Sequence, residues 1–292
     1  MRQMGFTIIP TSNASHIAKQ IQKRMPSSVI FCGRNKENRK QFPDGEIYIK
    51  LEQVQKLKGR VVVLHSGMPN PNTSLVELEL LLQILNQNKK VKIEVFFAYF
   101  SYCMQDSVFI DGETNAAEQL IKKLIDYYNV KKIYTLDAHF YNRDWPNKYP
   151  ITNVSVIDLL EKKAKKTYSN LVFVTPDKGA ARRTGINGAN KKRQNSFVNE
   201  FECDETFSKL VAGKNVAVVD DILETGGTLA RFYDECKDCG AKKAVALITH
   251  GVLARGITRM EKTYNRLYLT NSINRKQANV DISQRVLETI RG

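Results

Sequence analysis

Two neighbouring carboxylates and a turn of hydroxyls and glycines form the stretch with the clearest chemistry. An apolar run, Val216–Val219, leads into Asp220 and Asp221, and the turn Thr225-Gly226-Gly227-Thr228 follows just before a helical pattern. Glycines permit positive φ angles and let backbone amides approach an anion closely. The next helix adds its positive N-terminal end. Carboxylates accept hydrogen bonds from vicinal hydroxyls or hold a hydrated Mg²⁺. The pattern predicts a phosphate site beside a sugar site, which a ribose carrying a 5-phosphate would fit.

A second loop of similar type lies earlier in the chain. Pro176-Asp177-Lys178-Gly179 ends another apolar run, Leu171–Thr175. Gly179 would let the backbone wrap an anion, while Asp177 could reach Mg²⁺ through water. We interpret this segment as a diphosphate-binding loop. For both loops the alternative is an ordinary strand-to-helix turn, because Asp, Thr and Gly are common turn residues.

Three further groups of residues could act on phosphates or bases. His139 follows Asp137 at the end of a strand-like run, where an imidazole could bind a metal or a phosphate. Lys191 and Arg193, in a Gly- and Asn-rich loop, could neutralise charge that develops on transferring phosphates. Phe42 could stack on a base, with Asp44 and Glu46 beside it. The alternatives are a satisfied polar histidine, a solvated basic loop and a hairpin turn.

Composition bounds the class of protein. The 292 residues are 42% hydrophobic and 26% charged, with a net charge of +15 that would attract nucleic acid, an anionic surface or a polyphosphate. The sequence does not favour nucleic acid, because no basic stripe is interleaved with aromatic residues. Five cysteines with irregular spacing argue against a disulfide framework. We see no apolar run of transmembrane length and no secretory signal, so we expect a cytoplasmic protein with no membrane partner.

Apolar runs typical of strands alternate with helical patterns, which predicts parallel sheets covered by helices. The predicted strands are 6–9, 29–32, 47–51, 61–65, 93–99, 132–136, 171–175, 215–220, 244–250 and 266–270. The predicted helices include 15–25, 73–86, 116–128, 156–167 and 228–239. A boundary near Pro146 and Pro150 predicts two similar α/β domains, 1–148 and 149–292. In such folds ligands bind at the carboxyl ends of the strands, where the unusual residues fall.

Taken in order, the motifs resemble the ribose-phosphate diphosphokinase (PRPP synthetase) family, in its shorter, archaeal-type branch. PRPP is phosphoribosyl diphosphate. The resemblance implies two domains of the type I phosphoribosyltransferase fold, each a mainly parallel sheet flanked by helices. The motifs that carry it are Phe-Pro-Asp-Gly-Glu at 42–46, Tyr-Cys-Met-Gln-Asp at 102–106, Asp-Ala-His at 137–139, Pro-Asp-Lys-Gly-Ala at 176–180, Lys-Lys-Arg at 191–193 and the Asp-Asp turn at 220–228.

The resemblance implies a reaction and roles for the residues. A diphosphoryl group would pass from MgATP to the C1 hydroxyl of ribose 5-phosphate, giving PRPP and AMP. The residues implied for ribose 5-phosphate are Asp220, Asp221, Thr225, Gly226, Gly227 and Thr228. Those implied for ATP or its diphosphate are Phe42, Asp44, Glu46, Gln105, Asp106, Asp177 and Gly179. Lys191, Arg193 and His139 would be catalytic, and His139 and Asp177 would meet Mg²⁺. Phe42, Asp44 and Glu46 would reach ATP from a neighbouring subunit, which implies a homo-oligomer with a shared active site.

Three positions depart from the family pattern. Met104 and Ser107 stand where cations are expected near ATP, and Glu224 stands where Asp is usual. Loss of charge-assisted contacts would weaken ATP binding. Two alternatives therefore stay open beside an active diphosphokinase. One is a regulatory or non-catalytic paralogue, and the other is a phosphoribosyltransferase that consumes PRPP. The complete first domain argues against the transferase, which needs no ATP site.

Overall fold

The computed structural model of the chain describes residues 5–176, 178–184, 186 and 205–292. In this part of the chain, strands and helices alternate. The strands are β1 (Phe6–Pro10), β2 (Gly59–Ser66), β3 (Val91–Tyr99), β4 (Lys132–Leu136), β5 (Ile151–Val154), β6 (Leu171–Val174), β7 (Asn215–Leu223), β8 (Lys243–Gly251) and β9 (Arg266–Leu269). The helices are α1 (Ser15–Arg24), α2 (Pro71–Asn86), α3 (Ala116–Asp126), α4 (Ile157–Lys165), α5 (Lys178–Thr184), α6 (Glu205–Val211), α7 (Gly227–Asp238), α8 (Ala254–Thr263) and α9 (Ser283–Arg291).

The first of two compact units is built on a five-stranded parallel sheet. Its strands lie in the order β1-β2-β3-β4-β5. The unit takes in Met1–Val154, Ser272–Asn274 and Ile282–Gly292, so the C-terminal helix α9 belongs to it. Helix α9 contacts α1, where the Arg24 guanidinium donates to Ser283 Oγ at 2.8 Å. The apolar central residues of β2 and β3 are buried, as expected for strands covered on both faces.

The second unit has a four-stranded parallel sheet and a core on each face. Its strands lie in the order β6-β7-β8-β9. Alternate residues of β7 point to opposite faces: Val216 and Val218 pack with α7 and α8, whereas Ala217 and Val219 pack with α4. The unit takes in Ser155–Asn271 and Arg275–Asp281. The predicted fold class, two parallel-sheet domains flanked by helices, is confirmed.

Two predicted strands are wrong. Residues 29–32 and 47–51 form only isolated bridges, Ile8 with Val29 and Gln41 with Ile47. After Ile30 donates to the Ile8 carbonyl the chain leaves the sheet, and Gly33 donates instead to the Lys50 carbonyl at 2.8 Å. The predicted elements do not include β5, whose Ile-Thr-Asn-Val has a weak apolar pattern, nor helices α5, α6, α8 and α9.

Two other expectations bear on the chain as a whole. Cys239 is disulfide-bonded, which the irregular cysteine spacing did not predict, while Cys32, Cys103 and Cys236 are free. In the described part of the chain, no helix is both long enough and apolar enough to cross a bilayer. The division into domains 1–148 and 149–292 stays a prediction that unfolding experiments can test.

Candidate functional site

The turn after β7 is shaped by glycine. Gly226 precedes α7 with φ +74°, and a Cβ on it would lie 3.0 Å from Met260 Cε. A side chain at this position would therefore be strained and crowded. Glu224, Thr225 and Thr228 are exposed around it. The turn consequently presents two hydroxyls, a carboxylate and the amide end of α7 to solvent, which is the arrangement predicted for a phosphate site.

Helix α8 supports this turn through contacts that the sequence analysis missed. A Cβ on Gly256 would lie 1.9 Å from the Glu224 carbonyl oxygen, so only glycine fits there. One helical turn further, Arg259 is exposed and its Nη1 atom lies 3.6 Å from the place that a Gly227 Cβ would take. A guanidinium thus stands beside the turn. No local pattern marks Gly256 or Arg259, because both act through tertiary packing.

Asp220 and Asp221 lie inside β7 rather than beyond its end. The strand was expected to stop at Asp220 but runs to Leu223. Alternation along a strand directs consecutive side chains to opposite faces. Asp220 is half-buried and its Oδ1 atom accepts a hydrogen bond from the Asp221 amide at 3.0 Å, whereas Asp221 is only 2% exposed. The two carboxylates therefore have different environments, and Asp220 is the more accessible.

In the first unit, two loops with predicted site residues follow neighbouring strands. Gln105 and Asp106 come after β3, and His139 comes after β4, which pairs with β3. His139 is half-buried and begins a short 3₁₀ turn. The backbone before it is fixed by Asn153 of β5, whose Oδ1 atom accepts from the Ala138 amide at 2.9 Å. The loops after β3 and β4 thus place Gln105, Asp106 and His139 at the carboxyl-end edge of the sheet.

Gln105 and Asp106 differ sharply in exposure. Gln105 is exposed beside Met104, whereas Asp106 is 2% exposed and forms a two-point ion pair with Arg143. The sequence analysis missed Arg143. The start of the loop after β3 packs against Gly67, the residue that follows β2. A Cβ on Gly67 would lie 2.6 Å from Ser101 Cβ, so the backbone can approach Ser101 only because Gly67 has no side chain.

The segment 42–46 is a tight exposed turn. The Phe42 amide donates to the Glu46 carbonyl at 2.8 Å, and Gly45 at its tip has φ +96°. Phe42 is 43% exposed, and Asp44 and Glu46 are exposed beside it. Phe42 also lines an open cavity of about 470 Å³, together with Ser12, Asn13, Arg39, Lys40, Gln41, Pro43, Ile47, Pro69, Asn70, Thr73, Ser74 and Glu77. An aromatic face and two carboxylates are therefore available on one turn.

Three predicted site residues, Asp177, Lys191 and Arg193, lie outside the described residues. Gly179 is described, and it lies in the first turn of α5. Among the residues that the structure describes, no group of three or more His, Cys, Asp or Glu side chains is placed to hold a metal ion. The predicted pairing of His139 with Asp177 at Mg²⁺ includes a residue outside this set, so it stays a prediction.

Comparison with known proteins decides the family. Residues 6–131 match the model of the N-terminal domain of ribose phosphate pyrophosphokinase, and residues 185–283 match that of the phosphoribosyl transferase domain. A ribose-phosphate pyrophosphokinase from Thermococcus kodakarensis is 30% identical over 85% of this chain and 90% of its own length. The chain belongs to the ribose-phosphate pyrophosphokinase family.

A second relative agrees with membership of the pyrophosphokinase family, and a solved structure agrees with the fold. The Pyrococcus furiosus ribose-phosphate pyrophosphokinase is 28% identical over 96% of this chain and 98% of its own length. A crystal structure of phosphoribosylpyrophosphate synthetase from Mycobacterium smegmatis has the same fold, with a TM-score of 0.78, 22% identity and 98% of each chain covered. The predicted family and enzyme class are confirmed. Segment 42–46 lies in the range matched by the pyrophosphokinase N-terminal model and segment 220–228 in that matched by the phosphoribosyl transferase model, whereas His139 falls between the two ranges.

Proposed function

We propose that the chain transfers the diphosphoryl group of MgATP to ribose 5-phosphate, giving PRPP and AMP. The observation that carries this proposal is the turn 224–228. It combines exposed hydroxyls, a glycine at φ +74°, the amide end of α7 and a neighbouring guanidinium from Arg259. Backbone amides and a cation recognise a phosphate dianion, and Asp220 of the adjoining strand offers a carboxylate to the ribose hydroxyls. Asp221 and the turn residues Thr225–Thr228 complete the proposed ribose 5-phosphate site.

The first unit would supply the nucleotide site. Phe42 offers a ring for the base, with the exposed carboxylates of Asp44 and Glu46 beside it. Gln105 is exposed on the loop after β3 and can donate to or accept from the nucleotide. The turn 42–46 extends into solvent, which supports the proposal that it reaches ATP bound to a neighbouring copy. We therefore propose a homo-oligomer with shared active sites.

Charge neutralisation would carry most of the catalysis. The C1 hydroxyl oxygen forms a bond to the β-phosphorus of ATP, the bond from that phosphorus to the α,β-bridging oxygen breaks, AMP leaves, and the hydroxyl proton passes to solvent or a base. Lys191 and Arg193 would balance the charge that develops, with Asp177 and Gly179 at the diphosphate. Mg²⁺ keeps several waters and binds through few protein ligands plus phosphates, so His139 and Asp177 would be enough as its protein ligands. When bound, the ion would neutralise the ATP phosphates.

Incubation of the purified protein with ribose 5-phosphate, ATP and Mg²⁺ tests the proposal. We expect AMP and PRPP in equal amounts, measured by chromatography. Asp221→Ala should raise KM for ribose 5-phosphate, and Lys191→Ala should lower kcat with little change in KM. Ligand binding without AMP production would indicate a regulatory paralogue. Consumption of added PRPP with a nucleobase would indicate a transferase.

The cellular location stays a prediction. We expect the protein in the cytoplasm, where ATP and sugar phosphates are available, and fractionation of the native host would test this.

A further inference from the structure

An ion pair between a buried carboxylate and a partly exposed guanidinium joins the two loops of the first unit that carry Gln105 and His139. Arg143, four residues after His139, donates from Nε to Asp106 Oδ2 and from Nη2 to Asp106 Oδ1, both at 2.9 Å. The Asp106 side chain is 3% exposed and the Arg143 side chain 43% exposed. Both carboxylate oxygens of Asp106 are therefore engaged by one guanidinium, in the planar two-point geometry that only Arg provides.

Other contacts of the same loops converge on this pair. The Trp145 indole Nε1 donates to the Asp106 carbonyl at 3.0 Å, and Ser107 Oγ donates to that oxygen at 2.8 Å. The Arg143 guanidinium also lies over the ring of Phe109, 5.8 Å from its centroid. Arg143 and Trp145, which follow His139, thus contact the loop after β3 at three places. These are the Asp106 side chain, the Asp106 carbonyl and the Phe109 ring.

The pair changes the chemistry expected of Asp106. A carboxylate that is 3% exposed and has both oxygens bound to Arg143 is poorly accessible to a ligand from solvent. Without Arg143, the buried carboxylate of Asp106 would have no compensating charge. Since it lies next to Gln105, it would repel the phosphates of ATP. The loop has no cation of its own at Met104 or Ser107. Arg143 therefore supplies, from the neighbouring loop, the charge that neutralises Asp106, and the pair carries no net charge.

We propose that Arg143 is a positioning residue for the nucleotide, which neutralises Asp106 and holds Gln105 at a fixed place relative to His139. The proposal rests on the proposed function for the identity of the nucleotide. It adds Arg143 as a support from outside the loop after β3, and it assigns Asp106 to the support of the site rather than to direct contact with ATP.

Arg143→Gln tests this in the full-length protein. We expect the Kd and KM for MgATP to rise about tenfold or more, because a charge-assisted two-point contact is lost, while KM for ribose 5-phosphate stays within about twofold. Trp145 is the single tryptophan and is buried, so its fluorescence reports on this contact. Its emission should shift to longer wavelength. Arg143→Lys should recover only part of the loss.

Arg60→Gln is the matched control. Arg60 forms the same two-point pair with Glu94 in this unit, at 3.0 and 2.9 Å, with side-chain exposures of 32% and 3%. Arg60 lies near the amino end of β2, away from the predicted site edge. We expect Arg60→Gln to lower the free energy of unfolding about as much as Arg143→Gln does, but to keep the parental Kd for MgATP. Equal changes in the two variants would overturn the proposal.

The double variant Asp106→Asn/Arg143→Gln separates positioning from direct binding. Because it replaces the unpaired carboxylate with an amide, which can hydrogen-bond to the new amide at position 143 and keep the two loops joined, we expect most of the MgATP affinity to return. If Arg143 itself contacted ATP, the double variant would bind as weakly as Arg143→Gln, and the positioning role would be wrong. Kd and fluorescence need no turnover, so they test Arg143 even if the parent protein makes no PRPP. An unchanged Kd in Arg143→Gln would also overturn the proposal.

Discussion

At the scale of single residues, His65 shows how burial sets a protonation state. The imidazole is fully buried near the end of β2, with Nδ1 3.0 Å from Thr11 Oγ1 and the ring edge-to-face with Phe97. Burial lowers its pKa from 6.5 to about 3. The side chain is therefore neutral in the folded protein at any pH near neutrality, and its role is structural.

This depressed pKa predicts a pH dependence of stability. Above pH 6.5 His65 is neutral in both states, but as the pH falls toward 3 only the unfolded chain binds the proton. The free energy of unfolding should then fall by up to about 1.4 kcal/mol per pH unit. The His65 contribution should make the parental free energy of unfolding, measured by urea titration, about 2 kcal/mol lower at pH 5 than at pH 7. His65→Gln should lack this part of the difference.

Leu64→Ala, which changes the fully buried and non-titratable neighbour of His65 in β2, is the control for the His65 substitution. It should keep the parental pH dependence. The interpretation of His65 would be wrong if His65→Gln kept it too.

At the scale of elements, the turn after β7 depends on helix α8. Leu223 accepts from the Val252 amide at 2.9 Å, and Arg275 Nε donates to the Gly251 carbonyl at 3.0 Å, so the segment from β8 to α8 is tied on both sides. Gly256 then allows the start of α8 to touch the Glu224 carbonyl. The shape of the proposed phosphate site is thus set by a helix from outside the motif.

Gly256→Ala should disturb this packing and the proposed ribose 5-phosphate site together. A Cβ that would lie 1.9 Å from Glu224 O forces the turn to move, since that atom is backbone. We expect KM for ribose 5-phosphate to rise about tenfold and the free energy of unfolding to fall by about 1–3 kcal/mol. Gly5→Ala is the control, because no heavy atom lies within 4 Å of its added Cβ. Parental kinetics in Gly256→Ala would show that the turn does not rely on α8.

At the scale of the whole molecule, the chain returns to its first unit at its C-terminal end. Val286, Leu287 and Ile290 of α9 are buried, and α9 contacts α1. The Arg291 guanidinium lies 2.8 Å from Met25 Sδ, next to the end of α1. The stability of the first unit should therefore depend on α9, which follows β5 by more than a hundred residues.

Ile290→Ala tests this dependence. Removal of a fully buried side chain should lower the free energy of unfolding by about 2–5 kcal/mol. Trp145 lies in the first unit, so the midpoint of its fluorescence transition should move to lower denaturant concentration. Met260→Ala, at a fully buried position of the second unit, is the control. A fluorescence transition that responded to neither substitution would favour an independent domain 149–292 that includes α9.

The sequence by itself determined the family, the parallel α/β class and most strands and long helices. Order and spacing of motifs are read directly from the sequence. The long apolar runs of β2, β3 and β8 were predicted as strands, whereas the short run 29–32 shows that an apolar pattern alone does not ensure a strand. The turn 225–228 was also predictable, because its glycines and hydroxyls carry their chemistry in adjacent residues.

Only the tertiary structure decided what depends on distant partners. It paired Asp106 with Arg143, set Gly256 against Glu224, buried His65 and returned α9 to the first unit. It also extended β7 through Asp220 and Asp221, because β8 continues beside them with Asp220 opposite Ile248. Each of these contacts joins residues far apart in the chain, and packing rather than local preference selects them.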